Sequence, residues 1–240
     1  MEPTETIRTC LAQVALLRQH LAAQPALEIA VSDIKRFQAL RFASTYADLL
    51  AGGPYQAATR FFLDELYGET NYAERDEQFS RIAGAIQRLL PRQAAQTAVS
   101  LAQLHALSEQ LDHAMGNAWL SGRENDQTLR YVHCWRAVGS AASRRTQLQM
   151  VLEIGAELIR LTRTPGLRIM LKIMRGPAHA AGLGALQHFL EAGFDTFANL
   201  EKKKLGAQQF LRLIQERETR LIEQLFEADI AICHAALAAT

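Results

Sequence analysis

Apolar residues recur at helical spacing along this chain, and no segment alternates apolar and polar residues for long enough to indicate a strand. The first such stripe consists of Ile7, Leu11, Val14, Leu17 and Leu21. The choice of apolar residues agrees, because 34 Leu stand against only 6 Val, and leucine favours helices whereas valine favours strands. We therefore predict an all-α fold.

Turn residues divide this helical pattern into segments. Pro25 ends the first stripe, Gly52-Gly53-Pro54 ends a helix expected from about Leu27 to Leu50, and the longest helix is expected from about Gln93 to Leu120. No internal repeat or low-complexity linker interrupts the 240 residues. The pattern predicts a single all-helical domain over residues 1–240, a multi-helix bundle of roughly nine helices.

Charge and cysteine usage exclude several classes of protein. The formal net charge is only +1, so we expect no nucleic-acid partner. No stretch reaches the roughly 18 apolar residues needed to span a bilayer, and the N-terminus begins with acids rather than the cations of a signal peptide. Cys10, Cys134 and Cys233 are far apart, which does not suit a disulfide framework. We predict a cytoplasmic protein with no membrane span.

The densest local pattern is the segment Phe61-Phe62-Leu63-Asp64-Glu65-Leu66-Tyr67, which we call the aromatic-acidic motif. We expect Phe61, Phe62 and Leu66 to be buried, and Tyr67 to be mostly buried with its hydroxyl on a partner. We expect Glu65 to pair with an arginine from a neighbouring helix. Gly68 is expected to cap this helix at its C-terminus, and Asn71 followed by Glu74 is close to a capping box for the next helix.

At this motif the chain resembles the FFLEELY-motif proteins, an uncharacterised group of bacterial proteins. Asp64 stands where the group has Glu, and Asn71 stands where Asp is expected. Flanking segments also resemble the group: Thr45–Leu50, Arg75-Asp76, Arg88–Pro91, Met174–Ala178, Ala181–Leu183, Phe189–Glu191 and Glu216–Thr219. The resemblance implies a helical fold and a bacterial source, but no substrate and no reaction.

Charge is distributed unevenly along the chain. Six acids and one cation lie between Asp64 and Glu77, whereas no acid lies between Leu158 and Leu190. The cations of that second stretch are Arg160, Arg163, Arg168, Lys172 and Arg175, and the last three share one helix face. Three interpretations are open: a solvated face with cations near a helix C-terminus, docking of the basic segment on the acidic one within the chain or across a dimer, and a binding site for an anion.

The anion-binding interpretation depends on Gly176-Pro177. Followed by small residues, this pair is expected to open a helix whose N-terminal amides could receive an anion. The pocket would be lined by Tyr46, Tyr67, Arg75, Arg175 and His179, with Arg175 making bidentate contacts to the ligand.

Signatures of common catalytic and metal sites are absent from the sequence. There is no Gly-x-Ser-x-Gly, Gly-x-Gly-x-x-Gly, Cys-x-x-Cys or Glu-x-x-His. Asp64 and Glu65 are adjacent, so on a helix their side chains point about 100 degrees apart and do not easily share one ion. His133 and Cys134 are also neighbours and do not face each other. We predict no metal and no cofactor, and the sequence identifies no catalytic residue.

Two functions remain open. The first is a non-enzymatic protein-interaction or self-associating module, whose partner is another protein or a second copy in a homodimer. The second is a small-molecule binding protein or enzyme that holds an anionic or amphipathic ligand between helices. The candidate binding residues for both are Tyr46, Glu65, Tyr67, Arg75, Asp76, Arg168, Lys172, Arg175 and His179.

Overall fold

The fold was examined in a computed structural model, which describes residues 2–67, 72–89, 91–202 and 206–237. Every regular element within these ranges is an α-helix. The helices are α1 (Pro3–Ala22), α2 (Pro25–Thr45), α3 (Ala47–Leu50), α4 (Gln56–Leu66), α5 (Ala73–Leu89), α6 (Arg92–Ser121), α7 (Gln127–Val138), α8 (Ala141–Thr162), α9 (Leu167–Ala180), α10 (Gly184–Glu201), α11 (Gly206–Glu227) and α12 (Ile230–Leu237). The all-α prediction is confirmed. The division into domains stays a prediction.

The described residues form twelve helices rather than roughly nine, partly because two expected helices are interrupted. The helix expected to reach Leu50 ends at Thr45, where Tyr46 leaves helical geometry (φ −114°, ψ 21°). The Tyr46 hydroxyl donates to the Glu218 carboxylate at 3.0 Å. This contact is with α11, a helix distant in the sequence, so local spacing could not reveal the break.

The second interruption separates α12 from α11, in a region where the spacing of apolar residues predicts one last helix that carries Phe210, Ile214, Leu221, Leu225 and Ile232. The Arg136 side chain, from α7, donates to the carbonyl oxygens of Leu225 and Ala228 at the end of α11. Asp229 then accepts a hydrogen bond from the Ala231 backbone N–H at 2.8 Å and starts α12. A long-range arginine thus satisfies carbonyls that the end of a helix leaves without partners.

Gly176 and Pro177 do not open a helix, so that prediction is wrong. Both lie in the last turns of α9, with Pro177 inside the helix. Gly176 makes this possible because it lacks the Cβ that would clash with the following proline ring in helical geometry. No helix N-terminus is present at this position to receive an anion.

The aromatic-acidic motif lies on α4 and packs into a core shared with α2, α8, α10 and α11. The Phe62 ring meets the Phe210 ring edge-on, with the ring centroids 5.4 Å apart. The Phe61 ring stacks on the Phe189 ring, with the centroids 6.1 Å apart. Gly68 and Asn71, with their predicted capping roles, lie outside the described residues. The motif is therefore a junction between helices that are far apart in the sequence.

Candidate functional site

A buried cluster of polar residues lies where the motif helix meets α2 and α11. The Arg41 guanidinium lies 2.6 Å from the Glu218 carboxylate, and Tyr46 donates to the same carboxylate. Tyr67, the last residue of the motif, stacks on Phe42 at 4.5 Å. Its ring is half-buried, but its hydroxyl end is buried and interacts with the Arg41 side chain. We call Arg41, Tyr46, Tyr67 and Glu218 the polar core.

The electrostatics of the polar core favour structure over catalysis. Burial, followed by the nearby Glu218 charge, raises the pKa of Tyr67 to about 12 and raises the pKa of Tyr46 as well. Both hydroxyls therefore stay protonated near neutral pH. Burial, the largest effect, would lower the pKa of Arg41, but the Glu218 charge, the neighbouring tyrosines and the hydrogen bond to Glu218 together outweigh it, so the pKa is raised. Arg41 and Glu218 thus neutralise each other and leave no free base or nucleophile.

A second row of polar contacts continues along α2 toward α6. Lys35 lies 2.7 Å from Glu109, and the Gln38 amide donates to Asp112 at 3.1 Å. Asp112 is buried, and burial raises its pKa against the opposing effect of Lys35. The sequence pattern could have indicated this row, since Lys35, Gln38 and Arg41 recur every three residues on one side of α2. Spacing shows only that these polar residues share one side of the helix. It does not show whether that side is buried or solvated, so the sequence analysis did not identify the row.

Two acids of the stretch from Asp64 to Glu77 have their partners on other helices. Glu65 lies 3.5 Å from Arg75, as predicted, and the Arg75 guanidinium lies over the Phe189 ring at 4.4 Å. Asp76 is buried between Arg18 at 2.5 Å and His105 at 2.7 Å. Within the described residues, therefore, the basic segment does not dock on Glu65 or Asp76.

Two cations of α9 pair with acids of the adjacent helix α10. Arg168 lies 2.8 Å from Asp195, and Arg175 donates to Glu191, both acids belonging to α10. The hydrogen bond from Arg175 lowers the pKa of Glu191. Lys172 and His179 are exposed on the same flank of α9. The nine predicted binding residues therefore fall into separate places: the polar core, the Glu65–Arg75 pair, the Asp76 site and the flank of α9.

Lowering the pH is expected to remove the contribution of Asp76 to stability. Burial opposes ionisation of Asp76, but the contacts with His105 and Arg18 outweigh it and lower its pKa in the folded protein. A carboxylate whose pKa is lowered by folding stabilises the protein at pH values above its unfolded-state pKa of about 3.9. This stabilisation is lost as the pH falls through the pKa in the folded protein. We expect Asp76→Asn to cost about 1–3 kcal/mol near neutral pH.

Urea denaturation of both proteins across pH checks this expectation. The difference between the wild type and Asp76→Asn should stay constant down to about pH 5 and shrink below about pH 4. The Asp33→Asn variant provides the control and should change little, because Asp33 is partly exposed and its ion pair with the exposed Arg36 lies at the surface. A difference that persists undiminished at about pH 3 would contradict the assignment.

Leu66 is not buried as predicted; 37% of its surface is exposed. The wider surface of the protein has a more extended apolar feature on α9. Ile169 and Ile173 are 64% and 67% exposed. With Gly176, Pro177 and Ala180 they follow one side of the helix, at i, i+4, i+7, i+8 and i+11. We call these five residues the α9 outer face.

The apolar side of α9 is wider than the area that the rest of the chain covers. Leu167, Leu171 and Met170 pack toward Leu161 and Phe194, which accounts for the inner side. The outer face remains open, and a Cβ added at Gly176 would have nothing within 4 Å. Arg168, Lys172 and Arg175 border this face along one flank. The result is an apolar ridge with a basic border.

A shallow groove of about 160 Å³ lies between α8 and α11. Its apolar lining is Leu148, Leu152 and Ile222, and its polar lining is Arg145, Gln149, Gln215 and Thr219. We call it the α8–α11 groove. A second depression, beside Arg168 and Lys172, has a volume of only about 10 Å³. Neither reaches the roughly 300–1,000 Å³ of a typical small-molecule pocket, so the geometry does not favour the ligand-binding alternative.

The described residues offer little for metal or nucleophilic chemistry. They contain no group of three or more His, Cys, Asp and Glu side chains placed to hold a metal ion. Cys134 is buried, and burial raises the pKa of its thiol to about 11, so little thiolate is present near neutral pH. Its neighbour His133 pairs with Glu124 instead. Within the described part of the chain, no helix has the length and hydropathy to cross a membrane.

Comparison with known proteins identifies a family over nearly the whole chain. Residues 17–231 match the model of a domain of unknown function, DUF8198. The chain belongs to this DUF8198 family. No curated protein and no solved structure is significantly similar to it. The match carries no information on the aromatic-acidic motif, so the resemblance to the FFLEELY-motif proteins stays a prediction.

Proposed function

We propose that this DUF8198 protein is a non-enzymatic interaction module that docks through the α9 outer face. The observation that carries the proposal is the exposure of Ile169 and Ile173, one helical turn apart, beside a flank of cations. Two large aliphatic side chains on one open helix face are typical of a helix that inserts into an apolar groove. The proposal assigns the polar core and the aromatic-acidic motif to stability.

Charge indicates what kind of groove α9 fits. The helix carries Arg168, Lys172 and Arg175 and no acid of its own. Arg168 and Arg175 lean toward α10, and Lys172 lies next to the outer face. An apolar groove with carboxylates along its rim would cover the isoleucines and face the cations, which favours correct orientation on encounter. The partner is therefore a protein surface with an acidic rim.

Photo-crosslinking tests this proposal at the surface itself. A photoreactive amino acid replaces Ile173, and a matched control carries it at Ile29 on α2, which is 63% exposed. In cells of the source organism, position 173 should form a discrete protein adduct, and position 29 should not. Equal labelling at both positions, labelling of lipid alone, or no adduct at position 173 would overturn the proposal.

A further inference from the structure

We infer that the acidic-rimmed groove is the α8–α11 groove of a second copy of this chain. This inference rests on the proposed function and names the partner. The chain carries both an open ridge, the α9 outer face, and an open groove on a different pair of helices. Each copy could then offer its ridge to one neighbour and its groove to another.

The size and lining of the groove fit an aliphatic side chain. A cavity of about 150 Å³ is enough to hold a benzene molecule, and the groove has about 160 Å³. Leu148, Leu152 and Ile222 provide an apolar lining for an isoleucine. Gln149 and Gln215 are exposed beside it and can hydrogen-bond at the edge of an arriving helix. The groove is thus large enough for one aliphatic side chain such as Ile169 or Ile173, and it is smaller than a typical small-molecule pocket.

The rim of the groove carries the opposite charge to α9. Glu153 accepts a hydrogen bond from Gln149 at 2.8 Å, which places this carboxylate beside the groove. Glu223 lies one helical turn after Thr219 and is exposed. Glu227 lies 3.7 Å from Arg145, the one cation of the lining. Glu227 is paired with Arg145, and Arg168 and Arg175 are paired with acids of α10. The complementary charges are therefore the exposed Glu153 and Glu223 beside the groove and the exposed Lys172 beside the ridge.

Pairing two α9 helices with each other is less favourable on the same grounds. In an antiparallel pair related by a two-fold axis, the flank with Arg168, Lys172 and Arg175 lies on the same side in both copies. The exposed Lys172 of both copies would then lie on the same side of the contact, and α9 has no acid to pair with it, which opposes association. Ridge-into-groove contact avoids this repulsion. Two such contacts between the same two copies produce a closed two-fold dimer, whereas single contacts that continue from copy to copy produce rings or open chains.

A mixing experiment distinguishes this arrangement from the others. The ridge variant carries Ile169→Glu and Ile173→Glu, and the groove variant carries Gln215→Arg and Thr219→Arg. Light scattering after size-exclusion chromatography should show wild-type assemblies larger than one chain that dissociate at high salt. Each variant alone should be monomeric. Their equimolar mixture should double in mass, because one intact ridge and one intact groove remain.

Several outcomes would overturn the inference. A mixture that stays monomeric would indicate another mode of self-association, and variants that still assemble alone would exclude both surfaces. A wild-type monomer at all salt concentrations would exclude a second copy, while a crosslink from position 173 to a different protein would leave the proposed function intact. Ile29→Glu controls for added surface charge. If the groove variant does not fold, Glu223→Lys replaces it, and assembly should then weaken at low salt.

Discussion

Replacing Glu218 with glutamine is expected to destabilise the protein by about 3–5 kcal/mol, because the buried Arg41 charge would lose its counterion. Arg41 is 5% exposed, so water cannot solvate the guanidinium in place of the carboxylate. The Arg41 Nε already lacks a hydrogen-bond partner, so the buried guanidinium is not fully satisfied even in the wild type. Urea denaturation monitored by circular dichroism measures the change. Glu216→Gln, at an exposed position of the same helix, should change stability by less than about 0.5 kcal/mol.

A double variant separates the cost of an unpaired charge from the value of the pair. Replacing Arg41 and Glu218 together with methionine removes both charges from the core. We expect this variant to be more stable than the Glu218→Gln protein, since apolar side chains can replace a buried ion pair with little loss. If Glu218→Gln is as stable as the wild type, Arg41 is not held by Glu218 and the polar core does not stabilise the fold.

Truncating Phe62 to alanine is expected to cost about 3–5 kcal/mol, whereas truncating Leu66 should cost less than about 1 kcal/mol. Phe62 is 4% exposed and meets the Phe210 ring edge-on, so its removal leaves a cavity at the junction of α4 and α11. Leu66 lies in the same motif but is 37% exposed. Thermal and urea unfolding of the two variants provides the comparison, with Leu66→Ala as the matched control.

This comparison also tests what the aromatic-acidic motif is for. If the motif stabilises the junction, the loss in Phe62→Ala should appear as stability alone. The mass of any wild-type assembly should be unchanged under conditions where the variant is folded. A fall in assembly with full stability would instead place the motif in the interaction surface and contradict its structural role.

The motif shows how far sequence reasoning reached at one site. Burial of Phe61 and Phe62 was predictable, because paired aromatic residues on an amphipathic helix have few stable alternatives to the core. That Glu65 would pair with an arginine was predictable, since Arg75 is the one cation in that acidic stretch of the sequence. Burial of Leu66 was wrong, because α4 ends at this residue and its side chain lies outside the core. A single leucine near a helix end gives no sign of which way it faces.

The basic segment shows the opposite case. Its helical spacing placed Arg168, Lys172 and Arg175 on one flank, and the structure has them there. The sequence alone left open whether that flank met the acidic motif, solvent or an anion. The acids that pair with it, Glu191 and Asp195, lie on α10, which packs against α9 only after the chain has folded. Charge counts along the chain carry no information about such pairings.

The sequence by itself determined the helical class, most helix positions and the burial of most apolar stripes. These properties follow from local spacing and from backbone preferences that each short segment carries on its own. Only the tertiary structure decided where Arg41 meets Glu218, why α2 stops at Tyr46, and which side of α9 stays open. Contacts between distant residues depend on how all helices pack at once, because the partner of a buried charge is chosen by geometry rather than by sequence distance.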